Sequence, residues 1–235
     1  MTDDVLTPKD LVALGRFDTP TICNAIEVLA PARRATGFTT EPLVCADPAL
    51  PPIVGFARTA TIRAMHPPPG GAAGQRQRRA EYYTYVGRAP GPTITVIQDL
   101  DPRPGFGAFW GEVNSAVHKA LGCLGAITNG SFRDVTDLAP GFQILGGEIG
   151  PSHGHVHVVD FASQVNVFGM TVEDGDLVHA DRHGAVVVPA EIARDLPGAV
   201  DLIARREKVI LDVCKSPDFD VEKLKQAMAT AAEIH

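Results

Sequence analysis

The chain has 235 residues, of which 45% are hydrophobic and 21% are charged, a composition typical of a soluble globular protein with a full apolar core. A formal net charge of −7 argues against a broad nucleic-acid-binding surface, which needs a clustered basic face. No apolar run reaches the roughly 18 residues needed to span a bilayer. The opening residues MTDDVLTPKD lack the basic and apolar regions of a signal peptide. We therefore expect one cytoplasmic domain over residues 1–235 that binds neither nucleic acid nor a membrane.

Helical and extended patterns alternate through the first half of the chain. Thr19 and Pro20 have the positions of a cap and a first-turn proline, which predicts a helix over residues 21–29. Alternating polar side chains predict a strand over residues 55–64, and a β-branched run predicts a second strand over residues 93–98.

The segment between these two strands begins with HPPPGGAAG, residues 66–74, whose proline and glycine content predicts a loop without regular structure. This loop is either a domain boundary or a flexible flap that shapes a pocket. The helical pattern QRRAEYYTYVGR follows over residues 77–88. The basic cluster of Arg76, Arg78 and Arg79 is followed at once by an acidic residue, and we interpret it as the solvated face of this helix.

The stretch FWGEVNSAVHKALGCLGAITNGSFRD has the local pattern of a ligand site. An amphipathic helix is predicted over residues 109–121, and Gly122 ends it. The face expected to be buried consists of apolar residues at helical spacing, namely Phe109, Val113, Ala116, Val117, Ala120 and Leu121. A short buried strand is predicted over residues 125–128, and the loop after it carries Arg133 and Asp134. The start of the helix and the end of the strand can therefore share one crevice, where open α/β folds commonly bind ligands.

The second half of the chain contains a run of short strands followed by helices. Because helices lie mostly before and after this run, the expected fold class is α+β, with helices and sheet in layers and C-terminal helices from about residue 190. The predicted strands are residues 142–145, 155–160, 165–168, 176–179 and 185–188, and the predicted helices are residues 190–213 and 221–234.

Glu112 follows Gly111 at the expected start of the central helix. An acidic residue there can simply stabilise the helix, because the unpaired N–H groups and the helix dipole favour negative charge. The alternative is a binding site in which the free N–H groups of Val113 and Asn114 hold a substrate carboxylate. Both interpretations stay open on the sequence alone.

Arg133 and Asp134 also have two interpretations. They can form a surface ion pair of little energetic value, and Asp134 can cap a short helix over residues 135–139. Alternatively, the rigid guanidinium fork matches a carboxylate, and the hard oxygen of Asp134 matches Mg²⁺ or Mn²⁺. In that case the two side chains bind the two ends of one small oxo acid.

A histidine cluster is the second candidate. In SHGHVHVVD, His153, His155 and His157 alternate, so they would share one face of a strand and could bind a transition metal, or belong to a half-exposed strand. His183, in the polar segment 175–184, could reach a site. The chain has neither a GxSxG nucleophile motif nor a phosphate-binding glycine motif.

These residues resemble the RraA-like family. The family includes class II pyruvate aldolases acting on 4-hydroxy-4-methyl-2-oxoglutarate and 4-carboxy-4-hydroxy-2-oxoadipate, and also the regulator of ribonuclease E activity, which is not an aldolase. The likeness runs from about Thr19 to Pro189 and includes GFARTATI and EDGDLVHADRHGAVVVP. Its core is Gly111-Glu112, twenty intervening residues that include Gly122, Gly125 and Gly130, and then Arg133-Asp134.

The resemblance implies a compact αββα sandwich related to swivelling phosphohistidine domains, assembled as a homotrimer or hexamer with sites between subunits. It also implies that Arg133 binds the pyruvyl carboxylate, that Asp134 holds a divalent metal, and that Glu112 orients metal-associated water. The family typically has Asp where this chain has Glu112, and the extra methylene can move the metal shell. A further acid from a neighbouring subunit is expected near the C-terminus, either Glu207 or Glu222.

The expected function is that of a lyase that cleaves a C–C bond of a 2-oxo acid through a pyruvate enolate, by retro-aldol reaction or by oxaloacetate-type decarboxylation. It would use Mg²⁺ or Mn²⁺, with Arg133 and Glu112 as catalytic residues and no lysine. Two alternatives are a non-enzymatic regulator that binds a ribonuclease, and an enzyme of the same scaffold with a different substrate.

Overall fold

The computed structural model describes residues 6–235, apart from the side chain of Ala72. The first five residues, part of the opening stretch that argued against a signal peptide, lie outside the described residues. Twelve strands follow one another within that range. They are β1 (Val44–Cys45), β2 (Ile53–Arg63), β3 (Thr93–Asp99), β4 (Cys123–Thr128), β5 (Ser131–Phe132), β6 (Gln143–Gly146), β7 (Glu148–Ile149), β8 (His157–Phe161), β9 (Val165–Val167), β10 (Met170–Val172), β11 (Leu177–Asp181) and β12 (Gly184–Val188).

Six α-helices accompany these strands, and the predicted α+β class is confirmed. Over residues 6–235, every helix is too short or too polar to cross a membrane. The helices are α1 (Pro8–Leu14), α2 (Thr19–Leu29), α3 (Gly71–Val86), α4 (Glu112–Ala120), α5 (Leu196–Cys214) and α6 (Val221–Ala232).

The longest strand, β2, organises an eight-stranded mixed sheet, in which seven strands follow the order β1-β6-β4-β3-β2-β11-β12 and the eighth, β8, pairs with β2. Along one edge β2 pairs in parallel with β3, to which β4 and then β6 are added in parallel. Along its other edge, residues 53–56 pair with β11 and residues 60–63 pair with β8, both antiparallel. The parallel strands β2, β3 and β4 therefore end at the same edge of the sheet, and the segments that follow them can meet there.

Apolar side chains cover both faces of the sheet. Because strand residues alternate between faces, Ile94 and Val96 of β3 pack under the β9–β10 hairpin, while Ile97 packs on the side covered by α3. A third cluster joins α1, α2 and α5 to β11 and β12. The helix α3 and the aromatic residues before α4 thus lie on the same side of the sheet.

The prediction that residues 66–74 hold no regular structure was wrong for its second half. The prolines end at Pro69, Gly70 adopts φ 80°, and α3 begins at Gly71. A glycine is tolerated in a first turn, where backbone N–H groups have no partner within the helix, and the alanines that follow favour helix.

The predicted helix over residues 109–121 begins three residues later, and its buried face was wrongly assigned. Trp110 forms a parallel bridge with Phe132, so the backbone before Glu112 is extended. The buried residues of α4 are Ser115 and His118, whereas Val113 is 71% exposed. Hydrophobic spacing missed this face because its buried members are polar and hydrogen-bonded.

The first predicted helix begins earlier than expected, and its cap is Asp18, whose carboxylate accepts a hydrogen bond from the Thr21 N–H. Thr19, predicted as the cap, is buried instead. Its N–H donates a hydrogen bond to Oδ2 of Asp181 over 2.9 Å, and this bond connects α2 to the end of β11.

Candidate functional site

A cavity of about 720 Å³ opens beyond the carboxyl ends of β2, β3 and β4. Pro67 and Pro68 follow β2, the residues from Ala108 to the start of α4 follow β3, and Arg133 and Asp134 follow β4 and β5. This is the edge at which open parallel sheets generally bind ligands, because the connections that leave the strands diverge there. The loop that was expected to shape a pocket thus contributes to its wall.

Backbone pairing brings the start of α4 against Arg133 and Asp134. Arg133 donates its N–H to the carbonyl oxygen of Trp110 over 3.0 Å, next to the bridge between Trp110 and Phe132. One step along, the N–H of Glu112 donates to Oδ2 of Asp134 over 3.3 Å. The five residues predicted from the sequence, Glu112, Val113, Asn114, Arg133 and Asp134, all line the one cavity.

Asp134 has an unusual backbone conformation, with φ 53°. Asp tolerates the left-handed region better than most residues, but the conformation still costs free energy. The predicted helix over residues 135–139 is absent, and Asp137 donates its N–H to the Asp134 carbonyl in a turn instead. Helix capping therefore does not explain Asp134. Its Oδ2 also lies 3.5 Å from Nε of Arg133, a half-exposed ion pair that contributes little to stability.

Gly111 permits the close approach of Asp134. A Cβ atom at Gly111 would lie 2.5 Å from Oδ2 of Asp134 and 3.2 Å from Cγ of Arg133. Because real Cβ atoms do not approach oxygen this closely, any side chain at position 111 would displace the carboxylate. Glycine is favoured here because it leaves room for this carboxylate, and not because of its φ of −176°, which any residue adopts.

The first turn of α4 presents free donors to the cavity. Among the described residues, no acceptor is hydrogen-bonded to the backbone N–H of Val113 or Asn114. The Asn114 side chain is already engaged, because its amide donates to the Phe109 carbonyl and its oxygen accepts from the Tyr83 hydroxyl over 3.0 Å. What α4 offers an anion is therefore its backbone N–H groups and the positive end of its dipole.

The three clustered histidines line the same cavity, but not as one face of a strand. The strand β8 begins only at His157, and His153 and His155 lie in the turn before it, where Gly154 adopts φ 51°. The Nδ1 atoms of His153 and His157 contact backbone carbonyl oxygens at 2.7 and 2.8 Å. Since a carbonyl only accepts, these Nδ1 atoms carry hydrogen.

His183 lies elsewhere. Its Nδ1 is 3.1 Å from Oδ1 of Asp181, the same carboxylate that holds Thr19 at the start of α2. It does not belong to the lining of the cavity. The sequence-based suggestion that His183 reaches this cavity is therefore wrong. Its backbone N–H and its Nδ1 both contact Oδ1 of Asp181, and Asp181 is the residue that connects α2 to β11.

Two arginines that the sequence analysis assigned to a solvated helix face line the cavity, Arg76 and Arg79 of α3. Only Arg78 of that cluster points to the sheet side, where it donates to the Val159 carbonyl over 2.7 Å. Positions 76, 79 and 83 share one helix face, so the spacing of the two arginines from Tyr83 was the available signal. Burial raises the pKa of Tyr83, and the charge of Arg79 partly opposes that shift, as expected for close neighbours.

A buried hydrogen-bonded pair joins α3 to α4. The Tyr82 hydroxyl lies 2.9 Å from Nε2 of His118, and Nδ1 of His118 lies 2.7 Å from the Asn114 carbonyl oxygen. Nδ1 must donate to that carbonyl, so the neutral ring accepts the tyrosine hydrogen at Nε2. Burial lowers the pKa of His118 to about 4, although the Asn114 carbonyl opposes the shift. The imidazole is therefore neutral at pH 7, and it holds the start of α4 in place.

The carboxylates of Asp134 and Glu112 fit a hard divalent cation that keeps most of its water. Among the described residues, no donor is hydrogen-bonded to Oδ1 of Asp134, and no group of three His, Cys, Asp or Glu has the arrangement of a metal cage. One or two carboxylates beside a substrate are how proteins commonly hold Mg²⁺, whereas a structural zinc site needs four close ligands. The donor set thus suits Mg²⁺ or Mn²⁺.

Comparisons with known proteins agree with this architecture. The uncharacterized protein MJ0644 of Methanocaldococcus jannaschii is 30% identical over 105 residues, which cover 44% of this chain and 50% of that protein. The chain thus spans about half the length of the curated relative that it matches.

Two crystal structures have the same fold. An uncharacterized protein from Pseudomonas syringae pv. tomato superposes with a TM-score of 0.71 at 18% identity, over 98% of both chains. RraAS2 of Streptomyces coelicolor, described as an unusual member of the RNase ES inhibitor RraA protein family, superposes with a TM-score of 0.64 at 20% identity, over 86% of this chain and 94% of that one. At these identities the likeness shows the fold alone.

The family model described as RraA-like, Aldolase/RraA, matches residues 18–187, which are most of the chain and include the whole cavity edge from β2 to β8. The protein therefore belongs to the RraA-like family.

Proposed function

We propose that the protein is a divalent-metal-dependent lyase that breaks a C–C bond of a 2-oxo acid and releases pyruvate. The bond is broken either by retro-aldol cleavage of a 4-hydroxy-2-oxo acid, such as 4-hydroxy-4-methyl-2-oxoglutarate, or by decarboxylation of an oxaloacetate-type acid. The observation that carries the proposal is the convergence of Arg133, Asp134 and the first turn of α4 on one cavity. Both reactions need the same stabilisation, because both leave negative charge on the pyruvyl fragment.

Arg133 binds the carboxylate next to the 2-oxo group. Its guanidinium offers paired donors in a plane that matches the two carboxylate oxygens. Its backbone is fixed by the hydrogen bond to Trp110, so the side chain starts from a rigid point. Holding the carboxylate orients the bond to be broken along the carbonyl π system, and this orientation lowers the entropic part of the barrier.

Asp134 would hold a Mg²⁺ or Mn²⁺ ion directly, and Glu112 would hold it through water. When bound, the ion supplies Lewis-acid stabilisation of charge on the 2-oxo oxygen. The free N–H groups of Val113 and Asn114 stabilise substrate negative charge at the positive end of α4. The Glu112 carboxylate is exposed in the cavity, where it can accept the proton of the 4-hydroxyl group through one water molecule and return it through water to C3 of the pyruvyl enolate. In the decarboxylation, which has no 4-hydroxyl proton to remove, the enolate takes its proton from water.

No lysine is among the described residues that line the cavity. The nearest in sequence, Lys119 of α4, instead contacts the Pro140 carbonyl. A Schiff-base route would need a lysine in this wall, so the residues favour the metal-dependent route. We further propose a homotrimer or hexamer in which Glu207 or Glu222 of a neighbouring subunit completes the site, since neither lines the cavity of its own chain.

The test is pyruvate release measured with a lactate dehydrogenase coupling assay. Purified protein is given 4-hydroxy-4-methyl-2-oxoglutarate or oxaloacetate in the presence of Mg²⁺ or Mn²⁺, with Asp134→Ala protein as the blank because metal ions alone decarboxylate oxaloacetate. We expect turnover that EDTA abolishes and added metal restores. Turnover unchanged in EDTA would refute metal dependence. No turnover on any 2-oxo acid, together with a stable ribonuclease complex, would favour a non-enzymatic regulator.

A further inference from the structure

We propose that Arg76 and Arg79 of α3 bind the distal carboxylate of the substrate and set the preference of the cavity for 2-oxo acids that carry such a group. The proposal rests on the proposed function, because the substrates of that reaction already carry a second carboxylate and their 2-oxo end lies at Arg133. Both arginines line the same cavity as Arg133, on a different chain segment.

The position of α3 is set by contacts on the helix face that carries the two arginines. Tyr83 follows Arg79 by one turn and donates to the side chain of Asn114 in the first turn of α4 over 3.0 Å. Tyr82 meets His118 two turns from the start of α4. Since Arg76, Arg79 and Tyr83 are spaced three and four residues apart, the docking of Tyr83 directs the arginines toward the α4 end of the cavity.

Neither arginine is neutralised by this chain. Over residues 6–235, no carboxylate lies within 4.0 Å of the guanidinium of Arg76 or Arg79, whereas Arg133 has Asp134 at 3.5 Å. The neighbouring Arg78 differs from both, because it is committed to the Val159 carbonyl and lies 5.7 Å from the centre of the Phe161 ring. Two unneutralised guanidiniums on one wall of a cavity are the arrangement that recognises an anionic group.

The net charge of the residues that line the cavity favours a dianionic ligand. The described lining contains three arginines, Arg76, Arg79 and Arg133, and two acidic residues, Glu112 and Asp134. Its formal net charge is therefore +1 when histidines are not counted. A divalent cation would raise it to +3. A dicarboxylate compensates this charge better than a monocarboxylate does, because unpaired charge in a partly enclosed site is unfavourable.

The size of the cavity agrees with this conclusion. Its volume of about 720 Å³ lies in the range of sites that enclose ligands considerably larger than pyruvate. Pyruvate bound at Arg133 and Asp134 would leave the α3 side of the cavity to solvent. If Arg76 and Arg79 belonged to an ordinary solvated helix face, the affinity of the cavity would not depend on whether the ligand carries a second carboxylate.

Binding measurements with two acids that share one carbon chain distinguish recognition by the two arginines from a solvated helix face, and they require no turnover. 2-Oxoglutarate has a distal carboxylate, and 2-oxopentanoate has the same carbon chain with a methyl end. Dissociation constants are measured by isothermal titration calorimetry in Mg²⁺ for the wild type, Arg76→Gln, Arg79→Gln and the double variant. Arg34→Gln is the matched control, since it removes one exposed positive charge outside the cavity.

We expect the wild type to bind 2-oxoglutarate about 10-fold or more tightly than 2-oxopentanoate, as charge-assisted hydrogen bonds to one carboxylate allow. The preference should fall several-fold in each single variant and to about one in the double variant, while the dissociation constant of 2-oxopentanoate stays within about 2-fold. A preference that survives in the double variant, or a wild type without preference, overturns the proposal. Failure of the lyase proposal gives a different result, in which no pyruvate is released although the binding preference is present.

Discussion

The backbone N–H of Glu112 donates a hydrogen bond to Oδ2 of Asp134 over 3.3 Å, although 22 positions separate the two residues. This contact links the first turn of α4 to the loop after β5. The position of the Asp134 carboxylate therefore depends on residues of both segments.

Removal of the charged groups should abolish most of the proposed activity. We expect Arg133→Ala and Asp134→Ala each to lower kcat/KM for pyruvate release by about 100-fold or more, the usual effect of deleting a group that stabilises developing charge. The measurement is the coupled pyruvate assay at saturating metal. Cys123→Ala should keep its activity, because Cys123 is buried at the start of β4, next to β3, and makes its hydrogen bonds with Thr93 and Thr95. Either charged-residue variant with near wild-type kcat/KM would contradict this assignment.

A methyl group at position 111 should disturb the carboxylate without unfolding the chain. In Gly111→Ala the new Cβ would meet Oδ2 of Asp134 at 2.5 Å, so we expect the apparent metal affinity to fall about 10-fold, the lower end of the effect of displacing groups that orient a metal site. Metal titration of turnover, or of the calorimetric Mg²⁺ signal, measures it. Gly74→Ala is the control, because no atom lies within 4 Å of a Cβ there and α3 should be slightly stabilised. Equal metal affinities in the two variants would show that Asp134 relaxes freely.

Acid should destabilise the protein partly through His118. Burial lowers its pKa to about 4 from an ordinary value of 6.5, so between these values the unfolded chain binds more protons than the folded chain. Stability from this residue is complete above pH 6.5 and is lost as the pH falls toward 4, by about 1.4 kcal/mol per pH unit and about 3 kcal/mol in all.

Urea unfolding of the wild type and His118→Gln between pH 7.5 and 4.5 tests this dependence. The variant is less stable at neutral pH, but its stability should fall less steeply with acid. Burial also lowers the pKa of His179, but that residue is present in both proteins, so the difference between the two curves isolates His118. Parallel curves would mean that His118 titrates normally in the folded chain.

Two adjacent tyrosines should differ in what their hydroxyl groups contribute. Tyr82→Phe leaves Nε2 of a fully buried imidazole without a partner and should lower the free energy of unfolding by about 1–3 kcal/mol. Tyr83→Phe removes a half-buried bond to Asn114 and should cost about 1 kcal/mol or less. Denaturant titration of the two variants measures both free energies of unfolding. A larger decrease for Tyr83→Phe than for Tyr82→Phe would contradict the prediction.

That five of the predicted residues line one cavity could be expected from the sequence, because they lie in two short segments. Glu112, Val113 and Asn114 are consecutive, as are Arg133 and Asp134, and the pattern between them predicts one helix and one strand. The α+β class could be predicted for the same reason, since strand and helix periodicities are local.

Other residues of the cavity could not be assigned from local pattern. Arg76 and Arg79 have the composition of a solvated face, and only the docking of Tyr83 on α4 turns that face toward the cavity. The buried face of α4 was missed because Ser115 and His118 are polar, and their burial depends on partners distant in sequence.

The amino-acid order by itself determined which side chains bear charge and which segments are helical or extended, because these depend on neighbours within a few residues. Only the tertiary structure decided where those side chains meet. The bridge between Trp110 and Phe132 and the packing of α3 on α4 arise from long-range pairing. Such pairing joins residues that are distant in sequence, so the shared cavity of Arg76, Arg79 and Arg133 is a property of the assembled sheet and helices.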